Sequence, residues 1–408
     1  MSSSFNIVKK PKKDEDEFEE ELENVVLDED KEKSSKSSGD DDPKKRLFLL
    51  MGVLVGGTVI LLLILALASM FNTKKLSYSD IEKILEKAAV SYFKDHPDYL
   101  PAENGNMVEV DAANFVAEEK MKDLSTYTGD VTCSGKVVVE NSDGEYLYTP
   151  YLNCGDVYTT YELYNKVFND NEVVSSGDGL YHPGSNYVFR GEKVNNYVQL
   201  GNSLWRIVKI NSNNNIVLIS ESGAKYTQPW DNRYNESRFY ESGISDYSVS
   251  RIKEFLEKIY TSPSKDDGED IIAQSDKAYM VSYSLCVGKR ELDSQSRDNT
   301  LECKKTINNQ RLGLLTLSDY LYASLDPNCK SASNKSCQNY NYLAIDKDWW
   351  LVTADSKSTS TVFKVDQNGV IKNDIASTYA LVRPVIYLNS KTMYKSGSGT
   401  LKKPYTIK

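Results

Sequence analysis

NNYVQLGNSLWRIVKINSNNNIVLISES, residues 195–222, sets the architecture expected for the larger part of the chain. It holds three runs rich in β-branched and aromatic residues, NNYVQL (195–200), SLWRIVKI (203–210) and IVLISES (216–222). Gly201-Asn202 separates the first two, and NSNNN separates the second from the third. Glycine and asparagine relax into turns while the flanking runs prefer extended backbone, so the stretch predicts a three-stranded antiparallel meander. Strict alternation along the middle strand puts Leu204, Arg206, Val208 and Ile210 on one face and Trp205, Ile207 and Lys209 on the other. Large apolar side chains on both faces make it a central strand.

Toward the C-terminus the pattern continues as short apolar pieces between long polar ones. WDNRYNESRFY (230–240) reads as a loop, and Val249, Ile252, Phe255, Leu256 and Ile259 repeat at helical spacing over 249–260. PSKDDGED (263–270) reads as a polar surface loop, YMVSYSLCVG (279–288) as a strand, and LLTLSDYLYASL (314–325) as a brief strand entering a helical turn. DWWLVT (348–353), STVFKVD (360–366) and YALVRPVIYLN (379–389) complete the series, with Asn368-Gly369 as a hairpin turn. Residues 187–408 therefore predict a loop-rich antiparallel α+β domain.

Upstream, residues 77–175 read as a smaller helix-plus-hairpin module. Ile81, Ile84, Leu85, Ala88, Ala89 and Tyr92 share one helical face over 78–92, with Ser79 as N-cap and Glu82 as its capping-box partner. A second helix is expected over Ala112 to Leu124. GKVVV (135–139) and EYLYTPYLNC (145–154) flank the turn signal NSDG, and Pro150 marks the second strand as edge or bent. Residues 1–46 carry an excess of acids and almost no apolar clusters, which predicts a disordered cytoplasmic tail. Leu47–Phe71 runs without a charge, which predicts a transmembrane helix, since about 20 apolar residues suffice to cross a bilayer. Lys44, Lys45 and Arg46 beside it orient the N-terminus inward, making this a single-pass cell-membrane protein with the lipid bilayer as partner and its C-terminal domain outside.

All six cysteines lie beyond that stretch, which suggests disulfides in an oxidising exterior. The hairpin brings Cys133 toward Cys154; the other four allow three connectivities, of which proximity in sequence favours Cys286 with Cys303 and Cys329 with Cys337. There is no C-x₂-C, and neither His96 nor His182 lies near a cysteine, so no metal or other cofactor is expected. With 59 acids against 49 bases and dispersed lysines, the chain has no basic patch to meet phosphates, so nucleic acid is not expected as a partner. G-x-S-x-G, H-E-x-x-H and Gly-rich phosphate loops are all missing from the sequence.

NNYVQLGNSLWRIVKI, WDNRYN, LLTLSDY, DWWLVT and VRPVIYLNSK together resemble an extracellular surface module of Gram-positive gut bacteria. More distantly, the VRPV block and the tryptophan pair before it resemble the C-type-lectin-like fold of the formylglycine-generating family. That family's active enzymes use cysteines for copper-dependent oxygen chemistry. Here the cysteines read as paired in loops, so the resemblance implies the fold and not the activity.

Several residues are candidates for ligand binding. Trp350 shares a strand face with Asp348 and is expected to be the more exposed ring, with Trp349 in the core. Trp230, Asp231, Asn232 and Arg233 cluster in a loop, where binding residues accumulate. Asp231 and Asn235 have oxygens suited to calcium, although a turn this rich in Asp and Asn needs no metal to explain it. Arg383, in a β-rich terminal strand, must reach solvent or a buried carboxylate, with Asp319 or Asp231 as candidate partners and a ligand carboxylate as the alternative. Asp319 itself reads as a first-turn acid of a helix. The resulting expectation is a membrane-anchored extracellular recognition or cell-envelope structural protein, with an envelope glycan or surface protein as partner. A surface-tethered, glycosidase-like hydrolase and a pilus-like or secretion component are the alternatives.

Overall fold

The computed structural model describes residues 76–142, 144–233, 242–262 and 271–408. In chain order the helices are α1 (Tyr78–Asp95), α2 (Ala112–Ala117), α3 (Ser125–Thr128), α4 (Leu163–Asp170), α5 (Arg251–Thr261) and α6 (Leu317–Ala323). The strands begin with β1 (Met107–Asp111), β2 (Ser134–Ser142), β3 (Glu145–Asn153), β4 (Gly179–Tyr181), β5 (Tyr187–Arg190) and β6 (Tyr197–Leu200). They continue with β7 (Ser203–Ile210), β8 (Ile216–Ser220), β9 (Gln228–Pro229), β10 (Tyr283–Cys286), β11 (Thr306–Gln310) and β12 (Trp349–Ala354). The last are β13 (Thr361–Val365), β14 (Ile371–Ile375), β15 (Tyr379–Ala380), β16 (Val385–Leu388), β17 (Tyr394–Ser396) and β18 (Thr406–Ile407). Lys75–Lys408 is one compact unit of mixed helix and sheet, built on two hydrophobic clusters.

The smaller cluster joins α1 to the sheet β1-β2-β3. Ile81, Leu85, Ala88 and Ala89 bury the inner face of α1 against Val137, Val139 and Leu152. Gly135 permits the close approach: a Cβ there would lie 3.1 Å from a Leu85 methyl. Pro150 opposes Val137 on β3, whose other side is the sheet's edge, so its missing N–H costs no ladder bond. Two helix boundaries differ from expectation. Ser77, not Ser79, caps α1 by accepting from the Asp80 N–H, and Glu82 turns inward to meet Tyr158 and Thr160. The helix expected over 112–124 stops at Ala117, because Glu119 adopts φ +56° and the Lys120 N–H bonds back to the Phe115 carbonyl. That reversal ends a helix by satisfying its last carbonyls.

The larger cluster surrounds a six-stranded sheet in which β16-β8-β7-β5-β4 follow in order and β6 also pairs with β7. The meander is present, and β7 is central, bonded to β5, β6 and β8. Gly201 supplies the left-handed φ of +49° that the two-residue β6–β7 connection requires. Its face assignment differs from simple alternation. Ile207 pairs with Leu218 but Lys209 pairs with Val217, so Val208 is an extra residue, a β-bulge. By register, the bulge moves Lys209 to the face of Arg206, and Ile210 to the face of Trp205 and Ile207. Around this sheet lie β12-β13-β14, the ladders β10-β11, β9-β15 and β17-β18, and the helices. Helix α5 begins at Arg251 under a Ser250 cap, leaving Val249 exposed instead of on the apolar face.

The disulfides are Cys133–Cys154, Cys286–Cys303 and Cys329–Cys337. Trp205, Trp230, Trp349 and Trp350 are all fully enclosed. The expected exposure of Trp350 is corrected: its indole N–H reaches the Gln228 carbonyl at 2.8 Å, and β12 is buried on both faces. The expected fold began with a transmembrane helix, and this too is corrected. Among the described residues no helix is long and apolar enough to cross a membrane, and the span read at 47–71 lies outside them, as does the tail at 1–46. A single-pass topology, a bilayer partner and a cell-membrane location, with the recognition, envelope, tethered-hydrolase and pilus roles built on them, are therefore not carried forward.

Because both rings of the tryptophan pair fill the core, Trp349→Ala and Trp350→Ala should each cost about 3–5 kcal/mol in urea unfolding. A loss below about 1 kcal/mol for Trp350→Ala would show that its pocket collapses or that the ring is not enclosed.

Candidate functional site

The bulge at Val208 positions a polar concavity of the domain. Val188, Lys209, Val217 and Tyr387 form one lateral row across β5, β7, β8 and β16. Above the row, α6 approaches from one side and β10 from the other. The Lys209 ammonium meets the Asp319 carboxylate of α6 at 2.5 Å, with both side chains largely buried. Two clefts open around this pair, one of about 410 Å³ toward β10 and Tyr387, the other of about 210 Å³ toward β5. Asn186, Lys209, Asn299 and Asp319 line both.

Asp319 is held from two directions. One oxygen takes Lys209; the other accepts the Thr316 N–H and hydroxyl in a capping box at the start of α6. Burial alone depresses the Lys209 ammonium, but the Asp319 carboxylate outweighs it and holds the group above its ordinary value. Lys209 remains a cation, and only one of its three N–H donors has a protein partner among the described residues. The floor is aromatic: Tyr283 and Tyr387 stack at 3.8 Å between centroids, and burial raises both phenols above their usual range.

The remaining wall is asparagine. Within 211–215, the Asn211 side chain accepts the N–H groups of Asn213 and Asn215, and Asn214 takes φ +59°. This ties the loop to itself and leaves the Asn213 carboxamide unused. Asn186, Asn213 and Asn299 make no side-chain hydrogen bond to protein among the described residues. Neutral carboxamides both donate and accept, so these three, with the spare donors of Lys209, can bind a polar molecule without carrying charge.

The residues singled out in the sequence lie elsewhere and do different work. Trp230 is enclosed, its indole N–H donating to the Leu351 carbonyl at 3.1 Å. Asp231 is fully buried and accepts the N–H groups of Arg233, Ile244 and Arg251 as well as the Arg233 guanidinium. With its oxygens so occupied, Asp231 anchors the start of α5, and calcium ligation is not its role. Asn232 is exposed beside it, while Asn235 lies outside the described residues. Among the described residues no group of three or more acids, histidines or cysteines is placed to hold a metal. Arg383 pairs with neither Asp319 nor Asp231. It is enclosed over Trp349, donates to the Ser220 carbonyl at 2.9 Å and the Leu343 carbonyl at 3.2 Å, and meets Glu221 at 3.4 Å.

Sequence reasoning missed Lys209, Asn186, Asn213 and Asn299 as a site. The available signals were a lone lysine within an apolar strand and the NSNNN turn beside it. No family model matches the chain, and no match is found among curated proteins or solved structures. The resemblance to a bacterial surface module and to the C-type-lectin-like fold thus has no relative to support it.

Removing Lys209 leaves Asp319 with its cap but without its cation, so Lys209→Met should cost about 3 kcal/mol at pH 7, the lower end for a broken buried pair. The folded pKa of Lys209 lies above its unfolded value, so its contribution is complete below about pH 10.4 and is lost as pH rises through the folded value. The raised Tyr283 and Tyr387 phenols also reduce stability above about pH 10, Tyr387 more so in the variant because it loses the nearby Lys209 cation, so the comparison is made with Tyr387→Phe in both backgrounds. Urea unfolding at increasing alkaline pH should therefore narrow the gap between wild type and Lys209→Met. A gap that widens would exclude the pair as the cause.

Proposed function

We propose that this chain is a binding protein for a small, uncharged, hydrogen-bonding molecule held in the cleft beside Lys209 and Asp319. The observation that carries the reading is the convergence of three unengaged carboxamides, Asn186, Asn213 and Asn299, with the spare donors of a buried ammonium. The pairing with Asp319 makes the cation electrically neutral to a ligand while its N–H groups remain available. Pockets of this kind fix orientation with a few placed polar groups over an apolar wall, here the stacked Tyr283 and Tyr387.

The same groups argue for binding over catalysis. A general base or acid works best with a pKa near the operating pH. Lys209 and both phenols are displaced upward, Asp319 is engaged on both oxygens, and Cys286 is in a disulfide. None of these is poised to exchange a proton or act as a nucleophile near neutrality.

The test is a thermal-shift screen of polyols, amides and nucleosides against the full chain and two variants, Asn213→Leu and Asn299→Leu. Both asparagines are exposed, so each variant should unfold near the wild-type temperature. A ligand at a hundred times its Kd stabilises by about 2.7 kcal/mol, which the screen reads as a raised midpoint. Compounds that raise the wild-type midpoint should lose most of that shift in both variants. Shifts that persist undiminished in both, or a screen with none, would reject the cleft as the binding site.

A further inference from the structure

A second concavity, of about 700 Å³, has different chemistry. It is lined by Arg206, Glu221, Gln338, Tyr340 and Tyr342, with the exposed Glu192 at its rim. Arg206 is almost wholly buried, its guanidinium lying 3.8 Å from the Tyr197 ring centroid and 4.8 Å from that of Tyr342. Its Nε donates to the Asn196 side chain at 2.6 Å, and one terminal nitrogen donates to the Tyr197 hydroxyl at 2.7 Å. The other terminal nitrogen has no hydrogen bond among the described residues.

Glu221 is shared between two guanidiniums, at 3.6 Å from Arg206 and 3.4 Å from the enclosed Arg383. Both separations are long for a charge-assisted bond. Burial pushes the Arg383 guanidinium down to about 10, still protonated at neutral pH. Two enclosed guanidiniums thus share one half-buried carboxylate, and Glu192, the other acid lining the cleft, is exposed to solvent. A planar guanidinium with one unengaged terminal nitrogen can donate a hydrogen bond to a second carboxylate oxygen.

Two further features make the cleft specific. Tyr340 stands at its lip, well exposed, with φ +47°. A bulky residue in the left-handed region is strained, and such strain concentrates at ligand clamps. The Gln338 side-chain oxygen is buried without a partner, an acceptor waiting for an N–H.

From the shared Glu221, the unengaged terminal nitrogen of Arg206, the unpartnered Gln338 oxygen and the exposed Tyr340 ring, we infer that this cleft binds the C-terminal residue of a peptide. Its carboxylate would meet Arg206, its amide N–H would meet Gln338, and its side chain would lie against Tyr340. This site is independent of the Lys209 cleft, whose ligand is uncharged.

The experiment is calorimetric titration of the full chain with N-acetylphenylalanine, its C-terminal amide, and a tripeptide ending in phenylalanine. The acid should bind at least tenfold more tightly than the amide, and the tripeptide at least as tightly as the acid. Arg206→Lys keeps the charge but loses the fork, and should weaken the acid by at least tenfold. Tyr340→Gly relieves the left-handed strain, so it should weaken binding several-fold without lowering the melting temperature. That second variant keeps the test decisive if Arg206→Lys does not fold. Equal binding of acid and amide, no binding of the acid at millimolar concentration, or unchanged binding in Tyr340→Gly would overturn the inference. Exclusion of the tripeptide while the acetylated amino acid binds would overturn its extension to peptides.

Discussion

One inserted residue governs where the chemistry of this domain lies. Were Val208 paired in regular alternation, the β7 strand would present Lys209 alongside Ile207 and Trp205. An ammonium there would lie among enclosed apolar side chains, where desolvating a charge is costly. The bulge shifts the pleat by one step, so Lys209 emerges in line with Val217 and Tyr387, beneath the first turn of α6. Bulges commonly re-aim side chains beside functional sites, and here the result is a neutralised cation with donors to spare.

The domain has many short strands and long connections, and its loops are tied down by buried ionic and polar groups. Arg290 and Glu302 are both fully enclosed, 3.0 Å apart, and Glu302 also takes the N–H and hydroxyl of Ser318 at the start of α6. Arg383 ties the end of β8 to the loop carrying Leu343, and Asp231 gathers three backbone N–H groups at the start of α5. Removing one member of such a set leaves the other desolvated, which is why these groups hold conformation more than they add net stability. The three disulfides act on the same problem, each closing a loop of modest length.

The two clefts are chemically complementary. The one at Lys209 has its charge already matched and offers neutral hydrogen-bonding groups. The one at Arg206 has a guanidinium that shares its near carboxylate with Arg383, and an aromatic ring at its lip. By register, Arg206 and Lys209 lie on one face of the sheet, so a single strand, β7, supplies the cation of each cleft.

Local chemistry in the sequence was sufficient for the meander at 195–222, the hairpin closed by Cys133 and Cys154, the first-turn role of Asp319, and the burial of Trp349. Each depends on neighbours a few residues away, where propensity, turn chemistry and strand alternation act directly. Tertiary structure decided the rest. The bulge at Val208 arises from pairing with β8 and cannot be seen in a run that alternates cleanly. Trp350 is enclosed because Gln228, 122 residues away, receives its indole N–H. Arg383 finds the Ser220 and Leu343 carbonyls, with Glu221 at 3.4 Å, in place of Asp319 or Asp231, because such carbonyls and their position in the fold are not visible in composition. Both candidate sites draw on residues from distant segments, Lys209 with Asp319 and Arg206 with Tyr340. A site assembled across such separations has no local pattern, because the free energy that brings its parts together comes from burial throughout the core.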